Sequence, residues 1–129
     1  MSINSDVQDD ARRDLNEMYE RLEQGRHPLE EAKQNFEQVA HKYINSCIDE
    51  AQEAIASLLA VLNNKTEREQ VINTYLNAEE RLRGAAEELE HGKSWAKVSD
   101  LDELVSGAVK LIEGVRDDLE NTGEEFVDG

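Results

Sequence analysis

Aromatic residues are scarce in this chain, 5% of its 129 positions, so Leu, Ile, Val and Ala must fill any core. Proline occurs once, at Pro28, and there are only seven glycines, which leaves long stretches without a helix breaker. Cysteine also occurs once, at Cys47. An intrachain disulfide is thereby excluded, which suits a reducing compartment, and the cytoplasm is the expected location. No stretch approaches the roughly 20 apolar residues of a membrane span. The N-terminal "MSINSDVQDD" has neither a basic region nor an apolar run, so no signal peptide is expected.

Basic charge is the other shortage. Fourteen basic residues face 30 acidic ones, for a net charge of −16. An excess of this size repels nucleic acid and anionic membranes, which argues against direct binding to either, and it makes a partner with a basic face plausible. Salt adaptation or plain solubility would produce the same composition. Charged residues make up 34% of the chain, above the roughly 25% of an average soluble domain. The apolar residues are nevertheless periodic, which argues for folding over disorder.

That periodicity defines four helical segments. The first is expected over 6–24, opened by a capping box of Ser5 and Gln8 and striped by Val7, Ala11, Leu15, Met18 and Leu22, with Tyr19 at the flank. Gly25 suits a C-terminal cap, and Pro28 the first turn of the next helix. The second segment, 28–62, runs unbroken from Leu29 through Phe36, Val39, Tyr43, Cys47, Ala51, Ala54 and Leu58 to Val61, with Ile44, Ile48 and Ile55 widening the stripe. The third, 67–91, follows "NNKT" and a capping box of Thr66 and Glu69. Its heptad-like series is Val71, Tyr75, Ala78, Leu82, Ala85 and Leu89, which Ile72 and Leu76 broaden. After the loop "HGKSWAKVSD" the fourth, 100–121, carries Leu101, Val105, Ala108, Ile112, Val115 and Leu119. Gly123 is expected to stop it and leave 122–129 as a loose acidic tail.

Leu58, Leu59, Val61 and Leu62 cover about 160° of the second helix, wider than the usual stripe of about 100°. A helix end that broad needs more than one neighbour, and short connections supply them. These features point to one all-α domain over 1–129, a four-helix antiparallel bundle with coiled-coil-like packing and a long second helix. At 1.5 Å per residue that helix would span roughly 52 Å, beyond the reach of its neighbours. Around Phe36, Val39 and Tyr43 the layer would then be two helices thick, and a second subunit in a homodimer is expected to complete it.

Chemistry is poorly represented. Glu88 and His91 have the i, i+3 spacing of carboxylate-bridged metal bundles, but one copy is an incomplete ligand set. Glu37 and His41 likewise lack a matching second motif. Cys47 lies in the stripe and reads as a small buried hydrophobe, beside Asp49 and Glu50, which disfavour a thiolate. No nucleophile elbow or phosphate-cradling loop is present. No catalytic residue, metal or cofactor is expected.

The distinctive feature is placement of charge. In the first and third segments opposite charges alternate at i, i+4, as in Asp9–Arg13, Glu17–Arg21 and Glu79–Arg83. From Glu113 onward, by contrast, Arg116 is the only counter-charge to seven carboxylates. Carboxylates near a helix C-terminus oppose the macrodipole, typically by ~0.3–1 kcal/mol each, so helix stability does not account for them. Glu113, Asp117, Glu120 and Glu124 form one row and are the expected partner-binding residues. Trp95 would either anchor its loop against the bundle end or offer a partner an exposed ring. The expected function is a non-enzymatic protein–protein interaction module: an adaptor, regulator, chaperone or inhibitor. The alternative is an acidic nucleic-acid mimic that inhibits a DNA- or RNA-handling protein.

Overall fold

A computed structural model describes residues 2–27, 38–64, 67–92 and 99–128, with side chains at 2–27, 42–64, 67–91 and 105–127. Four helices occupy these segments: α1 (Ser5–Gln24), α2 (Gln38–Asn64), α3 (Arg68–Gly92) and α4 (Ser99–Asp128). They pack together as an all-α bundle. Each helix has two lateral neighbours: α1 lies against α2 and α4, and α3 against the same pair from the far side.

Polar contacts between the helices give their directions. Gln8, early in α1, donates from its side-chain amide to the Leu62 carbonyl at the end of α2, while Arg26, just past α1, meets Asn45 and Asp49 early in α2. The Tyr43 hydroxyl donates to the Glu88 carbonyl at 3.1 Å, joining the start of α2 to the end of α3. Arg68, opening α3, donates to the Phe126 carbonyl near the end of α4 at 2.9 Å. Arg21 near the end of α1 pairs with Asp118, and Leu111, earlier in α4, reaches Gly25. Every adjacent pair is therefore antiparallel, the up-down-up-down arrangement that short connections favour.

The expected stripes form the core. All six heptad-like positions of α3, from Val71 to Leu89, are buried, as are Ala11, Leu15, Met18 and Leu22 of α1. Ile44, Cys47, Ile48, Ala51, Ala54, Ile55, Leu58 and Leu62 of α2 join Val105, Ala108, Ile112, Val115 and Leu119 of α4. The broad apolar end of α2 divides its load: Leu58 and Leu62 are fully enclosed, while Leu59 and Val61 pack on the margin. Leu76 does not widen the α3 stripe. It stands 53% exposed, because its position on the helix turns it past the edge of α4.

Several boundaries differ from the sequence reading. The first cap is Asn4, whose side chain accepts from the Asp6 amide at 2.8 Å, and Ser5 is already helical. The start of the expected long second helix, 28–37, lies outside the described residues, as do Phe36 and the Thr66 cap. Among the described elements the longest is α4, at 30 residues.

The expected loose tail over 122–129 is corrected for its described residues, 122–128. Helix α4 continues through Asp128, and Thr122 and Phe126 are buried within it. Phe126 falls one heptad after Leu119 and so returns to the core face, where its ring meets Tyr75 edge-on at 6.2 Å between centroids. Gly123 is no stop signal. A Cβ there would fall inside the Tyr75 ring, so glycine is what lets the ring lie against the α4 backbone. Gly25, by contrast, is the expected C-terminal cap of α1, its amide donating to the Arg21 carbonyl at 3.0 Å. Its φ of −64° is right-handed, and Leu111 occupies the space a side chain would need.

Candidate interaction surface on the fourth helix

Successive residues of α4 step by about 100°, which places Glu113, Asp117, Glu120 and Glu124 within one strip on the flank facing α3. Glu113, Asp117 and Glu124 are exposed and Glu120 is half-buried. The opposite flank, facing α1, carries Asp118 and Glu125. The exposed side of α4 thus carries an acidic row toward α3 and further carboxylates at its α1 border.

The α3 border is a cluster of mixed charge. The Arg116 guanidinium lies 3.6 Å from the Glu120 carboxylate and 3.8 Å from that of Glu79 on α3. Its Nε is buried without a hydrogen-bond partner. Burial pushes the Glu120 carboxyl above its ordinary range, and the Glu79 carboxyl adds to this through a hydrogen bond and its charge, with Arg116 opposing. The Tyr75 hydroxyl is pushed well up, first by burial and then by its bond to Glu79. Leu76, Glu79, Glu80, Arg83 and Arg116 line a shallow groove of about 270 Å³ along this border.

The α1 border is a deeper trough of about 340 Å³ lined by Asp14, Glu17, Met18, Arg21, Asp118, Asn121, Thr122 and Glu125. Met18 and Thr122 lie buried beneath it, and four carboxylates stand around it. Arg21 pairs there with Asp118. Arg116 is therefore not the sole counter-charge to the acidic C-terminal stretch. A linear reading cannot see Arg21, because it comes from a different helix.

The expected i, i+4 ladders also rearrange. Arg13 lies 3.6 Å from Asp10, Arg83 lies 2.9 Å from Glu80, and both Glu79 and Arg21 turn to α4. Helices that lie side by side offer charged partners as near as those along one helix, and the cross-helix pairs tie separate elements together.

Sequence reasoning missed a buried polar knot where α1 ends. The side chain of Arg26, 13% exposed, reaches Glu23, Asn45, Asp49 and Gln52. Gln52 is only 5% exposed and donates to Glu23 at 2.8 Å and to the Tyr19 carbonyl at 3.5 Å. The hydrogen bond from Gln52 holds the Glu23 carboxyl below its usual value; burial opposes it, and the bond and charge of Arg26 add to the lowering. A signal was available, since Asn45, Asp49 and Gln52 share one face of α2 at i, i+4, i+7.

Of the other expected site residues, Trp95 and Phe36 lie outside the described residues, and Val39 is described only as backbone of α2. Tyr43 packs half-buried against the core of its own chain. Cys47 is buried, and burial together with Glu88 and Glu50 pushes its thiol up to about 11, so it remains protonated near neutrality. Glu88 and His91 are exposed, and the side chains of Glu37 and His41 lie outside the description. Among the described residues no three His, Cys, Asp or Glu side chains converge to hold a metal ion, and no helix is long and apolar enough to cross a membrane.

No protein-family model, curated protein or solved structure matches the chain.

Proposed function

We propose that this protein is a non-catalytic, cytoplasmic interaction module whose α4 face receives a protein partner of basic surface. The observation that carries this reading is the excess of carboxylates along the exposed side of α4. Glu113, Asp117, Glu120 and Glu124 run along one flank, and Asp118 and Glu125, backed by Asp14 and Glu17, along the other. Because α4 runs on to Asp128, Glu113, Asp117 and Glu120 lie more than a turn from its C-terminus, and the cost they carry is repulsion between like charges three and four residues apart. A cationic partner would offset this repulsion and would be steered in by the field of the whole chain. Arg21, Arg83 and Arg116 interrupt the acidic rows, which favours a protein partner over mimicry of a regularly charged duplex.

The test replaces Glu113, Glu120 and Glu124 with Gln and Asp117 with Asn. Proteins that wild type retains from a host extract are purified, and their affinities for both forms are measured at low and high salt. The expected result is a loss of about tenfold at low salt, mostly in the association rate, shrinking at high salt. Equal affinity of both forms at low salt would reduce this face to solvated surface.

A further inference from the structure

We infer that α1 is a strap that opens from the other three helices as a unit, and that Arg26 is the bolt that holds it shut. The helices α2, α3 and α4 are joined through α3, which buries Val71, Tyr75, Ala78, Leu82, Ala85, Ala86 and Leu89 between its two neighbours. In α1 four side chains are buried, Ala11, Leu15, Met18 and Leu22, and one of these is an alanine. Removing α1 therefore leaves the packing on both sides of α3 intact.

What α1 lacks in apolar contact it makes up in directional polar contact, concentrated at its C-terminal end, with Gln8 adding one bond to the Leu62 carbonyl near its start. Arg26 joins three side chains of α2, Asn45, Asp49 and Gln52, and Gln52 returns a hydrogen bond to Glu23. A network of this kind fails together, because displacing the guanidinium strands every acceptor it served. The cost of that failure is limited, since Asp49 and Glu23 already stand more than half exposed and are readily hydrated. Along the other seam α1 brings Asp14 and Glu17 to a trough already lined by Asp118 and Glu125, with Arg21 the one cation among its described lining residues. A thin apolar stripe, a polar network concentrated on Arg26 and a seam rich in like charges are the features of a segment that opens below the free energy of global unfolding. Since α1 forms one wall of the trough, opening also dismantles the trough, whatever partner it receives.

Native-state amide hydrogen exchange on the full chain, followed across low urea concentrations, tests this. In wild type, amides within 11–22 should exchange through one shared opening with a shallow urea dependence, at least about tenfold faster than those within 71–89 and 108–119. Arg26→Met should speed exchange in α1 by a further ~10- to 100-fold, the loss expected for hydrogen bonds to a charged group, and leave α3 within about twofold. The inference is overturned if α1 and α3 share one rate and one urea slope, or if Arg26→Met accelerates exchange uniformly. Should Arg26→Met not fold, the wild-type urea series decides alone.

Discussion

The seam between α3 and α4 and the seams around α1 solve the same packing problem with different chemistry. Between α3 and α4 a tyrosine ring lies on a glycine backbone and meets Phe126 edge-on, so contact is close and largely apolar. Around α1 the apolar contact is narrow, and Arg26, Gln52, Gln8 and Arg21 supply hydrogen bonds and ion pairs instead. Dispersion and burial accumulate over every atom of a tight seam, whereas net gains from polar contacts are small because water competes for the same groups. One bundle thus contains a firm joint and a conditional one.

The largest expected effect cuts the firm joint. Phe126→Ala should cost about 3–5 kcal/mol in urea unfolding, the range for removing a fully buried aromatic ring. A change within ~0.5 kcal/mol would return residues 122–128 to the loose tail that the sequence suggests and would erase the contrast.

Gly123→Ala sharpens the comparison through its sign. Helix propensity alone expects a gain of up to about 1 kcal/mol from replacing a helical glycine. The Tyr75 ring occupies the space of the new methyl, so a loss of about 1–3 kcal/mol is expected. Adding Tyr75→Leu to this variant should recover part of that loss, which a double-mutant cycle would measure.

The smallest effect is read by pH. Folding raises the Glu120 pKa, so the folded chain holds that proton more tightly. The resulting penalty is present above the folded pKa and is relieved as pH falls toward the unfolded value near 4.5. Glu23 has the opposite sign. Its lowered pKa contributes stability above about 4.5 that is lost as pH falls through the folded value. Thermal stability should therefore rise slightly from neutral to mildly acidic pH and then decline. Glu120→Gln should raise the neutral-pH Tm by about 1–2 °C, a small figure because the carboxylate is 43% exposed and screened by solvent, and should remove the acidic rise. A rise that survives in this variant would assign the pH response to another group.

Much of this was legible in the residue order. The α3 heptad series and the stripes of α1 and α2 predicted buried positions, because burial on one helix face repeats at a fixed period. Leu76 shows the limit. It is apolar and adjacent to the stripe, yet exposed, since a helix edge is covered only if the neighbouring helix is wide enough there. Phe126 carried a readable signal in its seven-residue step from Leu119, but the intervening Gly123 read as a terminator. Glycine ends helices and also admits close rings, and sequence alone does not distinguish these uses.

The sequence by itself determined four amphipathic helices, an aliphatic core and an acidic surface, because propensity, period and charge are properties of local order. Only the tertiary structure decided which side chains meet across helices: Arg26 with Gln52, Arg21 with Asp118, Arg116 with Glu79, and Tyr75 with Gly123. A helical period specifies the angle at which a residue leaves its own axis. What stands opposite depends on the register and order of a second axis, which only packing the whole chain sets.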